Sequence, residues 1–219
     1  MDHNFWLDRW QKQEIGFHNL SVQLALQKFW PRLGLAPDTA VLVPLAGKSL
    51  DMAWLTEQGH TVVGVELSER AVDEFFAEHG VTPDVRTVGD YIVKSSGRIT
   101  LWCGDFFKLN ASELPRIGAL YDRAALVAMP PIMQSGYAAK LGELLPAGTP
   151  GLLIGLDYNT KEMNGPPFAI SQSRVQELLA ANFTIECLEA RDGLTKSVHL
   201  AKRGVTRLEE ASYLLKRRA

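Results

Sequence analysis

Short apolar runs alternate with amphipathic segments along most of the chain. Residues 41–45 and 61–66 are compact runs with few polar positions, which predicts buried strands. Ser49 is placed to cap a helix between them, Gly59 to end it, and Ser68 to open a second helix. Strand, helix, strand and helix joined by short links predict a parallel sheet with right-handed crossovers.

The rest of the pattern continues in the same way. Residues 137–145 and the segment that Ser171 opens are predicted helices. Further strands are predicted at 91–93, 99–102, 119–121, 151–156, 183–188 and 212–215. We therefore expect one α/β domain over residues 1–219, doubly wound, with a mostly parallel sheet and helices on both faces. Residues 1–39 are expected to form a helical N-terminal extension.

Composition excludes several classes of partner. The formal net charge of −2 creates no field that would gather nucleic acid or an anionic membrane. No stretch is apolar enough for a membrane span or a signal peptide, so a cytoplasmic protein is expected. Cys103 and Cys187 lie in apolar runs and are predicted to be buried, reduced thiols. The histidines are scattered, so no metal site is expected. Without an exposed apolar helix face, we expect a monomer.

Two nucleotide-binding motifs are matched only in part. The sequence Gly47-Lys48-Ser49 resembles the end of a phosphate-binding loop, yet Leu42 stands where that loop needs its first glycine, and Pro44 lies within it. Lys48 is therefore expected to be solvent-exposed beside a turn. The dinucleotide fingerprint fails as well, because the first predicted strand is followed by one glycine only.

Two features remain once these motifs are excluded. A glycine turn follows the first predicted strand, and an acidic residue, Glu66, ends the second. A carboxylate at Glu66 would accept hydrogen bonds from both ribose hydroxyls of an adenosine that carries no pyrophosphate. The alternative is that Glu66 is an exposed carboxylate near the positive end of the next helix. Its placement relative to Gly47 favours the cofactor interpretation.

Whole segments then resemble the thiopurine S-methyltransferases, the bacterial members in particular. The strongest are VLVPLAGKSLDM at 41–52 and HTVVGVELS at 60–68. In the same order follow LWCGDFF at 101–107, YDRAAL at 121–126 and GPPF at 165–168, with WLDRW at 6–10 and GFH at 16–18 before them. One departure is Ala46, which stands where the family usually has cysteine and suggests that this thiol is dispensable.

The resemblance implies a Rossmann-like class I methyltransferase fold with a seven-stranded sheet and S-adenosylmethionine as cofactor, released as S-adenosylhomocysteine. Trp10 would cover the cofactor from the extension, which acts as a lid. Asp105 and Phe106 would lie against the adenine. The implied cofactor-binding residues are Trp10, Leu45, Gly47, Glu66, Asp105, Phe106 and Arg123. The implied substrate-binding residues are Phe17, His18, Pro166, Pro167 and Phe168.

The implied reaction is methyl transfer to the sulfur of small aromatic or heterocyclic thiols such as thiopurines. It needs alignment and a dry pocket more than a nucleophilic residue. Arg123 is expected to favour the thiolate electrostatically, and His18 is an alternative general base. Other soft nucleophiles (thiols, halides, selenium or tellurium species) and a non-catalytic S-adenosylmethionine sensor remain open as alternatives. The expected partner is a small-molecule thiol.

Overall fold

The computed structural model describes residues 3–219, which form two compact units, residues 3–121 and 122–219. The expected N-terminal extension holds two helices and a 3-10 turn, Trp30–Leu33. The helices are α1 His3–Gln11, α2 Leu24–Phe29, α3 Leu50–Glu57, α4 Glu69–Glu78, α5 Pro131–Leu144, α6 Gln172–Leu179 and α7 Val198–Ala201. The strands are β1 Ala40–Pro44, β2 Thr61–Glu66, β3 Asp84–Val88, β4 Tyr91–Ser96, β5 Ile99–Cys103, β6 Ala119–Arg123, β7 Pro150–Tyr158, β8 Phe183–Asp192 and β9 Leu208–Arg217.

The first unit is built on a mixed sheet with the strand order β3-β4-β5-β2-β1-β6. β4 pairs antiparallel with β3 and with β5, and the strands from β5 to β6 run parallel. β2 pairs in parallel with β1 on one side and with β5 on the other, and Glu66 stands opposite Cys103 in the second pairing. β6 pairs in parallel with β1 through Ala119 and Leu120. The carboxyl ends of β1, β2 and β5 therefore meet at one edge, where ligands of α/β sheets bind.

Serine side chains begin three of the helices, as predicted. Ser49 Oγ accepts from the Asp51 amide at 3.2 Å, and Ser68 Oγ accepts from the Ala71 amide at 3.3 Å. Ser171 opens α6 in the same way. These caps satisfy amides that the first turn of a helix leaves unpaired.

The second unit has the order β7-β9-β8 with antiparallel pairing throughout. Its own cluster of buried side chains lies beside β7 and β9 and comprises Tyr158, Met163, Leu200, Val205 and Leu208. Among residues 3–219, no helix is long and apolar enough to cross a membrane.

Two expectations are corrected. The strands of residues 3–219 number nine rather than seven. The number seven came from the family resemblance, whereas the apolar pattern predicts eight of the nine strands. It misses β3, which carries almost no buried side chain and so leaves no apolar alternation in the sequence. Cys187 is exposed rather than buried, because β8 pairs with β9, has a bulge between Cys187 and Glu189 and exposes much of its length.

Candidate functional site

Glu66 lies at the carboxyl end of β2 with 7% of its surface exposed. Its Oε2 accepts the Gly47 amide at 2.8 Å, and its Oε1 accepts the Ser68 amide at 2.8 Å. Burial raises the pKa of Glu66, and the bonds from the amides of Ser68, Gly47 and Leu67 oppose that rise. The exposed-carboxylate alternative is thus excluded. Glu66 ties the end of β2 to the turn after β1.

That turn has an unusual backbone. Leu45 adopts a φ of 48° and Gly47 a φ of 53°, both in the left-handed region. A leucine in that region is strained by roughly 1–2 kcal/mol, and such strain clusters at functional sites. The Ala46 amide donates to the Val65 carbonyl at 2.9 Å, which fixes the turn against β2. Ala46 itself is buried, so the residue that replaces the family's cysteine still packs inside.

Trp10 packs on this turn from the N-terminal helix. It is 3% exposed, and a Cβ added to Gly47 would lie 3.3 Å from Trp10 Cζ2. Phe17 meets Trp10 edge to face at 5.6 Å between ring centroids, and Trp6 at the same distance. We call Trp6, Trp10 and Phe17 the aromatic cluster. His18 follows Phe17 in the chain and is half-buried. Its amide donates to the Ile15 carbonyl at 2.8 Å and so closes a turn.

Replacing Gly47 with alanine is expected to destabilise the protein and to weaken binding of S-adenosylmethionine. The left-handed φ costs roughly 1–2 kcal/mol for any side chain, and the new methyl group also presses on Trp10. Gly34→Ala is the matched control, since Gly34 has a φ of 61° with nothing within 4 Å of its added Cβ. Denaturant unfolding should show a loss of stability for both variants, the larger one for Gly47→Ala, and calorimetry should show a cofactor effect for Gly47→Ala alone. Equal cofactor affinity in both would contradict the role of the Gly47–Trp10 contact.

Asp105 and Phe106 follow the carboxyl end of β5. Asp105 Oδ1 accepts the Phe107 amide at 2.9 Å and begins a short 3-10 turn, while its carbonyl accepts the Tyr91 hydroxyl at 2.8 Å. Asp105 Oδ2 lies 3.5 Å from Nε2 of His3 in α1. Phe106 is buried. Both residues therefore stand at the same edge as Leu45, Gly47 and Glu66.

Lys48 was expected to be exposed, and that prediction is wrong. It is 8% exposed, and its Nζ lies 2.9 Å from Glu74 Oε2 and 2.6 Å from Glu78 Oε1. Both acids are on α4, so the lysine next to the Gly47 turn is buried because two carboxylates of a neighbouring helix compensate its charge.

Arg123 ends β6 and belongs to the second unit. Its side chain is half-buried and, among residues 3–219, makes no ion pair or hydrogen bond. The next residue, Ala124, has a φ of 72°, a further left-handed non-glycine position. A guanidinium with no protein acceptor is available to an anion.

Asp122, next to Arg123, is 1% exposed. Its Oδ2 accepts the Tyr137 hydroxyl at 2.7 Å, and its Oδ1 accepts the Leu126 amide at 3.2 Å. Burial raises its pKa to about 6, against the opposing effect of these bonds. The carboxyl group therefore fixes the start of the segment after β6 rather than facing solvent.

Because the pKa of Asp122 is raised, the free energy of unfolding is expected to fall as pH rises from about 4 to about 6. In that window the folded protein holds a proton that the unfolded chain has lost. The loss is roughly 3 kcal/mol, because each pKa unit corresponds to about 1.4 kcal/mol. Asp122→Asn should flatten the profile of unfolding free energy between pH 4 and pH 7, while Asn at the exposed Asp84 should not. A parent profile that rises over this window in parallel with that of Asp122→Asn would contradict the assignment.

The predicted substrate residues Pro166, Pro167 and Phe168 form a loop held by its own unit. The Phe168 amide donates to the Val127 carbonyl at 2.6 Å, and the Tyr158 hydroxyl donates to the Pro167 carbonyl at 2.6 Å. Arg203 Nη1 donates to the Pro166 carbonyl at 2.6 Å and Nη2 to the Gly165 carbonyl at 3.4 Å. Gly165 has a φ of 76°, and a Cβ there would lie 2.5 Å from the Phe168 ring. This is a fixed wall with a half-buried aromatic ring.

The predicted residues thus divide between the units. The structure brings Trp10, Leu45, Gly47, Glu66, Asp105 and Phe106 to one edge of the first unit, with Phe17 against Trp10 and His18 next to Phe17 in the chain. Arg123, Pro166, Pro167 and Phe168 belong to the second unit. The binding roles of the residues in both units remain predictions.

Three polar residues that support these positions were missed from the sequence, namely Glu74, Tyr158 and Arg203. Each acts on a residue 9 to 38 positions away. Such partners leave no local signal.

The edge suits S-adenosylmethionine better than a phosphate-bearing nucleotide. It offers carboxylates and aromatic rings, which match hydroxyls, an amino group and a cation, and only one glycine in the turn after β1. Glu66, Asp105 and Phe106 would hold the nucleoside, and Trp10 would cover it.

Comparisons of the sequence with known proteins all indicate the same family. A profile of the thiopurine S-methyltransferase family matches residues 1–218. The thiopurine S-methyltransferase of Azotobacter vinelandii is 48% identical over 218 residues, 100% of both chains. That of Methylococcus capsulatus is 46% identical over 220 residues, 100% of this chain and 99% of the relative.

Solved structures support the fold. A SAM-dependent methyltransferase from Anabaena variabilis superposes with a TM-score of 0.67 at 16% identity over 99% of this chain and 95% of that one. The Burkholderia thailandensis 1,6-didemethyltoxoflavin-N1-methyltransferase, with bound S-adenosylhomocysteine, gives 0.63 at 18% identity over 99% and 87%. The class I methyltransferase fold expected from the sequence is confirmed.

Proposed function

Because this chain belongs to the thiopurine S-methyltransferase family, we propose that it transfers the methyl group of S-adenosylmethionine to the sulfur of small aromatic or heterocyclic thiols such as thiopurines. The observation that carries this proposal beyond the family is the buried Glu66 carboxylate. It stands at the carboxyl end of β2, bonded to the Gly47 amide and close to the turn that Trp10 covers. This is a nucleoside site without a phosphate cradle.

S-adenosylmethionine, when bound, supplies an electrophilic methyl group on a sulfonium. Glu66 orients the nucleoside by accepting from its ribose hydroxyls, and Asp105 accepts from the adenine amino group. Trp10 excludes water from the turn, because it presents an apolar ring to it, and Phe17 packs against that ring. The protein contributes alignment and a dry environment, the two factors that favour reaction between a cation and a thiolate.

Arg123 supplies the charge for the acceptor. A cation beside a thiol lowers the pKa of that thiol and so increases the fraction of thiolate. The Arg123 guanidinium has no carboxylate partner among the described residues, so this charge is not neutralised within the chain. No general base is then required, and His18 serves in packing and hydrogen bonding.

Pro166, Pro167 and Phe168 form the wall against which a flat acceptor stacks. Tyr158 donates to the Pro167 carbonyl and Arg203 to the Pro166 carbonyl, so the loop keeps its form without ligand. A fixed aromatic face suits planar heterocycles and does not select among them.

We propose that the working protein is a cytoplasmic monomer whose partner is a small-molecule thiol. Residues 1–219 act as one catalytic domain in which residues 1–39 form the extension and lid. The docking of α1 on the Gly47 turn supports the lid assignment.

The test is a calorimetric titration with S-adenosylmethionine followed by addition of a thiopurine, with the S-methylated product measured by mass spectrometry. Binding and turnover are expected. Binding without turnover of any thiol would transfer the assignment to halide, selenium or tellurium acceptors, or to a sensor. Absence of binding would overturn the proposal.

A further inference from the structure

Glu74, in the middle of α4, is bonded to two segments that border the proposed cofactor site. Its Oε2 lies 2.9 Å from Nζ of Lys48, next to the Gly47 turn. Its Oε1 accepts from Gln13 Nε2 at 2.9 Å, just beyond the end of α1. One carboxylate therefore joins the turn to the lid.

Arg70 completes the connection one helical turn earlier on α4. Its Nε donates to Glu74 Oε1 at 2.7 Å, and its Nη1 donates to the carbonyl of Gln11, the last residue of α1, at 3.1 Å. The carbonyls at the end of a helix have no partner within the helix, and Arg70 supplies one. The lid helix is thus held at Trp10 by apolar packing and at its end by α4.

The connection is charged and partly withdrawn from water. Lys48 is 8% exposed and the Glu74 side chain 24%. Hydrogen bonds from Arg70 and Lys48 lower the pKa of Glu74 to about 2, so the carboxylate stays ionised throughout the neutral range. Hydrogen bonds to ionised groups are the stronger ones in proteins.

We infer that Glu74 is a positioning residue that clamps the lid helix onto the Gly47 turn and thereby sets the rate at which the cofactor is released. The inference rests on the proposed function, because it assumes that S-adenosylmethionine binds beneath Trp10. Glu74 does not contact the cofactor in this account. It acts through Lys48, Gln13 and Arg70.

Two acids on the same helix provide matched controls. Glu78 bonds to Lys48 but not to the lid, and Asp73 bonds to Lys94. Glu78→Gln removes a charge beside Lys48 and leaves the lid contact. Asp73→Asn removes a charge from α4 and changes no contact with Lys48 or with the lid.

The experiment compares Glu74→Gln with Glu78→Gln and Asp73→Asn by hydrogen exchange of residues 3–17 without ligand and by stopped-flow release of S-adenosylmethionine. Glu74→Gln should accelerate both exchange and release by about tenfold, the effect of losing one hydrogen bond to a charged group. The rate of methyl transfer in a single turnover should stay within about twofold of the parent. The controls should exchange and release like the parent.

Arg70→Met is the second variant, in case Glu74→Gln unfolds the protein. It frees the Gln11 carbonyl while leaving Lys48 paired, and it should also accelerate exchange and release. Exchange and release in Glu74→Gln and Arg70→Met equal to those of the two controls would overturn the inference and leave the proposed function standing. Failure of the parent to bind S-adenosylmethionine would overturn both.

Discussion

Replacing Glu66 with glutamine is expected to weaken binding of S-adenosylmethionine by about 100-fold, the loss of one to two hydrogen bonds to an ionised acceptor. Both oxygens of Glu66 already accept backbone amides, from Gly47 on Oε2 and Ser68 on Oε1. Whichever way the glutamine amide turns, its NH₂ group faces one of these N–H donors. The substitution therefore removes the acceptor for the ribose and also disturbs the turn.

Calorimetry measures the change, and thermal unfolding separates it from loss of structure. Glu57→Gln, at an exposed position on α3, is the control and should bind like the parent. Glu66→Asp keeps the charge on a shorter arm and should fall between the two. A dissociation constant for Glu66→Gln within twofold of the parent would remove Glu66 from the cofactor site.

Replacing Arg123 with methionine is expected to lower kcat/KM for a thiopurine by about 100-fold, as loss of a charge that stabilises an anion usually does. Methionine keeps an unbranched apolar stem and removes the guanidinium. The pKa of the bound thiol should rise once the cation is gone, so activity should recover partly as pH increases. A merely structural arginine would give no such shift.

Steady-state rates from pH 6 to 10 provide the measurement, with S-adenosylmethionine affinity determined in parallel. Arg123→Lys keeps the charge without the planar fork and should retain most of the pH dependence. Arg207→Lys, at an exposed position, changes a different arginine of the same unit and should leave the pH profile unmoved. A pH profile for Arg123→Met parallel to that of the parent would contradict the electrostatic role.

Most of the fold follows from the apolar pattern of the sequence. The strand at 61–66 was predicted with its observed bounds, and Ser49, Ser68 and Ser171 cap helices as expected, because burial and capping leave local signatures. β3 was missed because a strand with exposed side chains on both faces has no such signature. β3 pairs with β4 through backbone hydrogen bonds, which every residue other than proline can donate, so this pairing selects no particular residue types.

The candidate site was predictable from the sequence where a glycine or an acidic residue follows or ends a predicted strand. Glu66 and Gly47 were assigned to the candidate site in this way, while the assignment of Arg123 and Trp10 required the family resemblance. The burial of Lys48 was not predictable, because its charge is compensated by Glu74, 26 positions later in the chain. Sequence patterns report local order, and an ion pair between distant segments becomes visible only when the fold is known.

Cys103, the last residue of β5, gives the proposed reaction a safeguard. It stands opposite Glu66 in the strand register. Burial, with the charges of Glu69 and Glu66, raises the pKa of its thiol to about 11. At neutral pH only about one molecule in 10⁴ carries the thiolate, which is the nucleophilic form. An enzyme that methylates sulfur thus keeps this buried thiol protonated at neutral pH, which disfavours methylation of Cys103 in place of the acceptor.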